Sequence, residues 1–163
     1  MNIEIEDMLC DAEGRYLEAT EQSLLTAYAE SLDDRLRTMR ALQQHESEIV
    51  NATMDALWQE FPDMKANHVD AKKKGVRDLT LVMRYASMAM VRDSIDFLEQ
   101  KLLYWFRTII NAFDMNQPLV FAYQQLDKET RRALTDEDYQ HIAPYLARAQ
   151  DILAPEPDEV AAE

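Results

Sequence analysis

Only two of the 163 residues are glycine, Gly14 and Gly75. Average usage of about 7% would give a chain of this length roughly eleven. A dinucleotide-binding fingerprint needs three closely spaced glycines and a phosphate-cradling loop needs two, so neither can be written in this sequence. Tight antiparallel hairpins draw on glycine for their turns and are disfavoured as well. The class that remains is all-α.

Charge narrows the partners. Seventeen Lys and Arg against thirty-one Asp and Glu give a net charge of −14, with a pI near 4.5. A surface that tracks phosphates needs a basic stripe, so nucleic acid is excluded as a partner. At 47% hydrophobic residues the chain has far more core material than an acidic disordered segment. Cys10 is the only cysteine, which forbids an internal disulfide and suits a reducing, cytoplasmic setting. The first residues, Met1 to Asp7, are acidic where a secretory signal is basic. No apolar run exceeds the five residues Leu102 to Phe106, against about 20 for a membrane span, so no transmembrane segment is expected.

Apolar residues recur at helical spacing throughout, and the breaks fall at prolines or polar caps. A first short helix is expected from Ile3 to Asp11, stopping before Gly14. Thr20 caps a second, with Leu24, Leu25, Tyr28 and Leu32 facing inward. Leu36, Met39, Leu42, Ile49, Met54, Leu57 and Trp58 mark one or two further helices ending at Pro62. The polar stretch Asp63 to Asp70 reads as a loop. Leu79, Val82, Met83, Ala86 and Met90 line a helix from about Ala71 to Val91. From Asp93 or Ser94 a helix carries Leu98, Leu102, Trp105, Ile109 and Phe113 on one stripe and Leu103, Phe106 and Ile110 on another, which marks it as the central scaffold. Pro118 opens a helix reaching about Leu134, and Thr135-x-x-Asp138 caps the last one through Tyr139, Ile142, Tyr145, Leu146 and Leu153. Residues 1–153 form one domain in this reading, and residues 154–163 a flexible acidic tail.

Catalytic chemistry finds little material. His45, His68 and His141 are the only imidazoles. Asp138-x-x-His141 has the spacing of one half of a carboxylate-bridged metal site in a helical bundle, and the second half is missing. A solvated cap is therefore the expectation for both residues. Cys10, Ser23, Ser87 and Ser94 lie in no nucleophile signature. Lys72-Lys73-Lys74, the sole basic run, reads as a solvated helix entrance or a dock for an acidic partner. No metal and no cofactor is expected, and the chain is read as a non-enzyme; a metal-carboxylate enzyme is the weakest alternative.

Two stretches nevertheless carry a family pattern. Asp11-Ala12-Glu13-Gly14-Arg15-Tyr16-Leu17 is similar to Asp-x-x-Gly-x-Tyr-Leu, and Glu48-Ile49-Val50-Asn51-Ala52 follows at a suitable distance. Val76-Arg77-Asp78-Leu79 and then Met83-Arg84-Tyr85-Ala86-Ser87-Met88-Ala89-Met90 look like Arg-Asp followed by Arg-Tyr-x-Thr-Tyr-Ala. On these motifs the chain resembles the phycobiliproteins, the globin-like light-harvesting subunits of the phycobilisome, over roughly residues 7 to 134. The resemblance implies a globin-like helical domain with an N-terminal helical extension, and leaves the last helix as an addition to the family core.

That likeness also implies roles. The family's bilin-bearing cysteine falls at Gly75, so no thioether can form, while Arg77 and Asp78 match the residues that meet the bilin propionate and pyrrole nitrogens. The loop before the site is shortened, and Trp105 stands where the family has a glycine, as though the pigment site were packed over. Asp11, Tyr16 and Arg84 match positions that meet across the interface between subunits, with Met88 replacing a tyrosine. The implied function is a bilin-free accessory, assembly or regulatory factor of light harvesting. It would act as a homodimer or with phycobilisome-type subunits, in the cytoplasm at the cytoplasmic face of the thylakoid. A carrier of a free bilin or related tetrapyrrole is the alternative.

Overall fold

The computed structural model describes residues 2–64, 70–110 and 116–155. Among these every regular element is helical. The elements are α1 (Ile3–Asp11), α2 (Ala19–Glu30), α3 (Leu32–Glu60), α4 (Ala71–Arg92), a composite α5, α6 (Asn116–Ala133) and α7 (Asp136–Leu153). Within α5, an α-helical Ile95–Leu98 passes into a π-helical turn, Glu99–Leu103, and then into Tyr104–Ile110.

Local chemistry explains most boundaries. The Asn2 side chain accepts from the Glu4 amide to start α1, and Gly14 supplies the φ of +85° that turns the chain toward α2. The second cap differs from Thr20: Glu18 and Glu21 form a reciprocal capping box, and α2 begins at Ala19. The candidate helices before Pro62 are one, α3, of 29 residues. Asp93 closes α4 in the left-handed region at φ 51°, a conformation Asp tolerates, and Ser94 at once caps α5 by accepting from the Phe97 amide. Thr135 caps α7 as its motif implies, accepting from the Asp138 amide.

The core lies among α3, α4, α6 and α7. α3 runs against α4 and α6, while α7 closes over α3, α4 and α6. Leu42, Ile49, Val50, Met54 and Leu57 of α3 meet Leu79, Val82, Met83, Ala86 and Met90 of α4, all buried. Their i, i+3, i+4 spacing is the stripe that drives these helices together. α7 is equally internal, burying Ile142, Tyr145, Leu146, Ala149, Ile152 and Leu153. Burial continues into Ala154, the first residue of the expected tail.

Ile5 and Ala12 of the N-terminal segment are buried, and polar contacts add to that anchorage. Asn2 donates to the Asp93 carboxylate at 3.1 Å, which ties α1 to the α4–α5 corner. Arg35, buried on α3, donates to Val91 O at 2.6 Å, to Tyr28 O at 2.9 Å and to Ser31 Oγ at 3.0 Å, and its guanidinium lies 4.6 Å from the Tyr28 ring centre. One cation thus satisfies the C-terminal carbonyls of both α2 and α4.

Candidate functional site

Two regions gather the residues that the sequence motifs single out. The first surrounds Gly75 on α4. A Cβ built at Gly75 would lie 2.6 Å from Met54 Cε and 2.9 Å from Met54 Sδ, so the thioether of α3 occupies the space a side chain at that position would enter. The methionine end is flexible and could yield, but as folded it is Met54 and not Trp105 that fills this space. Trp105 is 46% exposed and turns its indole N–H onto Lys101 O at 2.8 Å.

Beside Gly75 a cavity of about 250 Å³ opens among α3, α4, α5 and α6. Trp58, Leu79, Phe106, Ile110 and Tyr123 give it apolar and aromatic walls, and Asp78 and Lys74 supply its charges. Arg77 turns onto its neighbour: Nε donates to Asp78 Oδ1 at 2.9 Å, with Nη2 at 2.8 Å from the same oxygen. Burial, and then the charge of Asp78, push the Tyr123 hydroxyl far above the ordinary tyrosine range, so it stays protonated. Sites for drug-sized molecules run to roughly 300–1,000 Å³, so this cavity is smaller than such sites. With no thiol at Gly75, Met54 in its space and Arg77 on Asp78, these residues do not fit a covalently held bilin.

The second region is the groove between α3 and α4, lined by Met39, Leu42, Gln43, Met83, Ser87 and Met88 and flanked by Glu46 and Arg84. Arg84 and Glu46 pair through two bonds, Nε to Oε2 and Nη2 to Oε1, both at 2.7 Å. The carboxylate raises the Arg84 pKa further by hydrogen bonding and then by charge. Thus Arg84 has an intrachain partner, Glu46, 38 residues away, which no motif announced. Met88, 47% exposed, forms the apolar rim.

Asp11 is exposed and Tyr16 is 96% exposed, and among the described residues neither touches Arg84. The adjoining α2 buries none of its residues; Leu24, expected to face inward, is 58% exposed, and Leu25 and Tyr28 are half-buried. Two helical turns of α2 therefore offer Ala19, Thr20, Ser23, Leu24 and Ala27 to solvent. The expected inward stripe is formed only in part: Leu25 and Tyr28 are half-buried, Tyr28 with its ring under the Arg35 guanidinium, while Leu24 faces solvent.

Other candidate chemistry resolves into structure. Asp138 is buried rather than solvated, accepting from Thr38 Oγ1 at 2.8 Å, Thr135 Oγ1 at 2.8 Å and Arg37 Nε at 3.2 Å. Its neighbour His141 is half-buried, His45 faces Glu48 at 3.3 Å, and His68 lies outside the described residues. Among the described residues no three His, Cys, Asp or Glu side chains converge as a metal site would require. Lys72 pairs with Asp55 at 2.6 Å, and Cys10 is exposed. No described helix is long and apolar enough to cross a membrane.

Comparison with known proteins bears on both regions. Residues 8–153 match the family model described as "Phycobilisome protein". The chain is similar to the phycobiliprotein beta chain of Mastigocladus laminosus, 29% identical over 107 residues that span 63% of each chain. It is also similar to allophycocyanin subunit beta-18 of Synechocystis sp., 23% identical over 155 residues and 92% of each chain. Against allophycocyanin subunit alpha-B of Nostoc sp. it is 26% identical over 141 residues, 83% of this chain and 88% of the relative. The family match runs through α7 to residue 153, so the last helix belongs to the matched region and the likeness is not confined to residues 7–134.

Proposed function

The chain belongs to the phycobilisome protein family, and on that premise we propose that it is a bilin-free member acting through protein–protein contacts as an accessory, assembly or regulatory factor of light harvesting. Membership makes it a light-harvesting-related protein of a family whose members assemble into oligomers with other subunits. The observation that carries the rest is α2, a helix of 12 residues with none buried. Isolated helices below about 12–15 residues are marginal in water, because helix stability in proteins comes mainly from a packed apolar face. α2 therefore folds firmly when a second subunit covers it, and Tyr16 stands beside it with its ring in solvent.

In this reading the arm carrying Asp11, Tyr16 and α2 reaches the α3–α4 groove of another subunit, a second copy or a phycobilisome-type relative. Tyr16 packs on the methionines of the groove, and Asp11 of one subunit takes Arg84 of the other. The exchange is cheap, since Arg84 lies in solvent and an exposed ion pair is screened and contributes little to stability. Covered by the partner, the new pair is desolvated and costly to break from one side.

Sedimentation velocity on the purified chain, alone and mixed with allophycocyanin subunits, tests this. Arg84→Glu is expected to shift the associated species to monomer, and adding Asp11→Lys to restore association in part. The control, Arg84→Glu with Glu46→Lys, rebuilds only the intrachain pair and stays monomeric. An Arg84→Glu protein that sediments as the unmodified chain does would sink the docking mode.

A further inference from the structure

We infer that the cavity beside Gly75 binds a small flat aromatic molecule of about two fused rings that carries one N–H or O–H donor. This rests on the reading that the chain is bilin-free, and gives its former pigment region a different ligand class. Volume sets the size: an apolar cavity of about 150 Å³ takes up a benzene ring, so one of about 250 Å³ suits a bicyclic molecule. The walls set the shape. Trp58 of α3, Phe106 of α5 and Tyr123 of α6 present rings, and Met54 presents a thioether, which favours ring edges and faces over branched chains.

The polar groups set the chemistry. Both Arg77 contacts fall on Asp78 Oδ1, and Oδ2 makes no contact among the described residues. Tyr123, 4% exposed, also makes no hydrogen bond among them. The Asp78 side chain is about one-third exposed, so Oδ2 is accessible to a ligand in the cavity it lines, and a carboxylate oxygen takes a donor there in place of water, not another anion. A neutral ligand whose single N–H meets Asp78, with its rings against Met54 and Phe106, satisfies the cavity's volume and its charge together.

Isothermal titration calorimetry on the full chain with indole, and with 1-methylindole, which lacks the donor, tests the assignment. Indole is expected to bind one to one, and 1-methylindole about tenfold more weakly, as loss of a hydrogen bond to a charged group implies. Asp78→Ala is expected to erase that tenfold preference. Ala71→Phe at the half-buried mouth, and Ala122→Leu inside, are each expected to abolish binding by filling the space; if the inner variant does not fold, the mouth variant decides alone. No heat from indole with the unmodified chain, or undiminished heat with Ala71→Phe, overturns the inference. One-to-one displacement of indole by phycocyanobilin overturns the size limit and the bilin-free reading with it, whereas absent indole binding without any bilin uptake removes this inference alone. Arg84→Glu protein is expected to bind indole as the unmodified chain does.

Discussion

At the scale of single residues, two buried polar groups hold the helices in register. Arg35 serves two helix C-termini at once, and Asp138 receives donors from Arg37 and Thr38 of α3 and from Thr135, the cap of its own helix. Burial pushes the Asp138 carboxyl upward, but the hydrogen bonds from Thr38, Thr135 and Arg37 outweigh it and hold the pKa below the ordinary value. A carboxylate whose pKa is depressed on folding contributes stability that is present above its unfolded value, about 4, and lost as pH falls through the folded one. Asp138→Ala is therefore expected to lower stability by about 1–3 kcal/mol at neutral pH, by stranding the Thr38 hydroxyl, and to flatten the acid limb below about pH 4. Urea unfolding against pH measures both. The cap half of this network was legible, since Thr135 and Asp138 are three residues apart. The other half was not, because Thr38 lies 100 residues away.

At the scale of elements, α5 departs most from its sequence pattern. A regular helix would align Leu98, Leu102, Trp105 and Ile109 on one face. The π turn at Glu99–Leu103 inserts a residue, so Leu98, Leu102, Leu103 and Phe106 are buried instead while Trp105 and Ile109 face out. Tyr104 donates to the Glu99 carboxylate across this turn, and Arg148 of α7 donates to the same carboxylate at 2.6 Å. Burial raises the Glu99 pKa, and the bonds from Tyr104 and Arg148 bring it below its ordinary value. Phe106→Ala is expected to cost about 3–5 kcal/mol, and Trp105→Ala within about 0.5 kcal/mol of nothing, in thermal or urea unfolding. The reverse order would return α5 to the regular register. The central-scaffold role expected of this helix falls to α3, α4, α6 and α7, against which α5 packs Leu98, Leu102, Leu103 and Phe106 while Tyr104, Trp105 and Ile109 face solvent.

At the scale of the whole molecule, α7 closes the core rather than covering a finished one. Its side chains lie against α3, α4 and α6, so removing residues 135–163 is expected to abolish cooperative unfolding, read by calorimetry, and not merely to change the oligomeric state. A truncated chain that melts cooperatively near the full-length temperature would return the helix to a peripheral role. The sequence alone determined the helical class, six of the main helix positions to within a few residues and the family likeness, because periodicity, caps and the scarcity of glycine act over a handful of neighbours. Only the tertiary structure decided that Met54 occupies the space beside Gly75, that Arg84 pairs with Glu46, that Asp138 is buried, and that α2 and Trp105 face solvent. Each of these depends on which residues distant in the chain are brought side by side, and on a one-residue change of helical phase, neither of which a local pattern encodes.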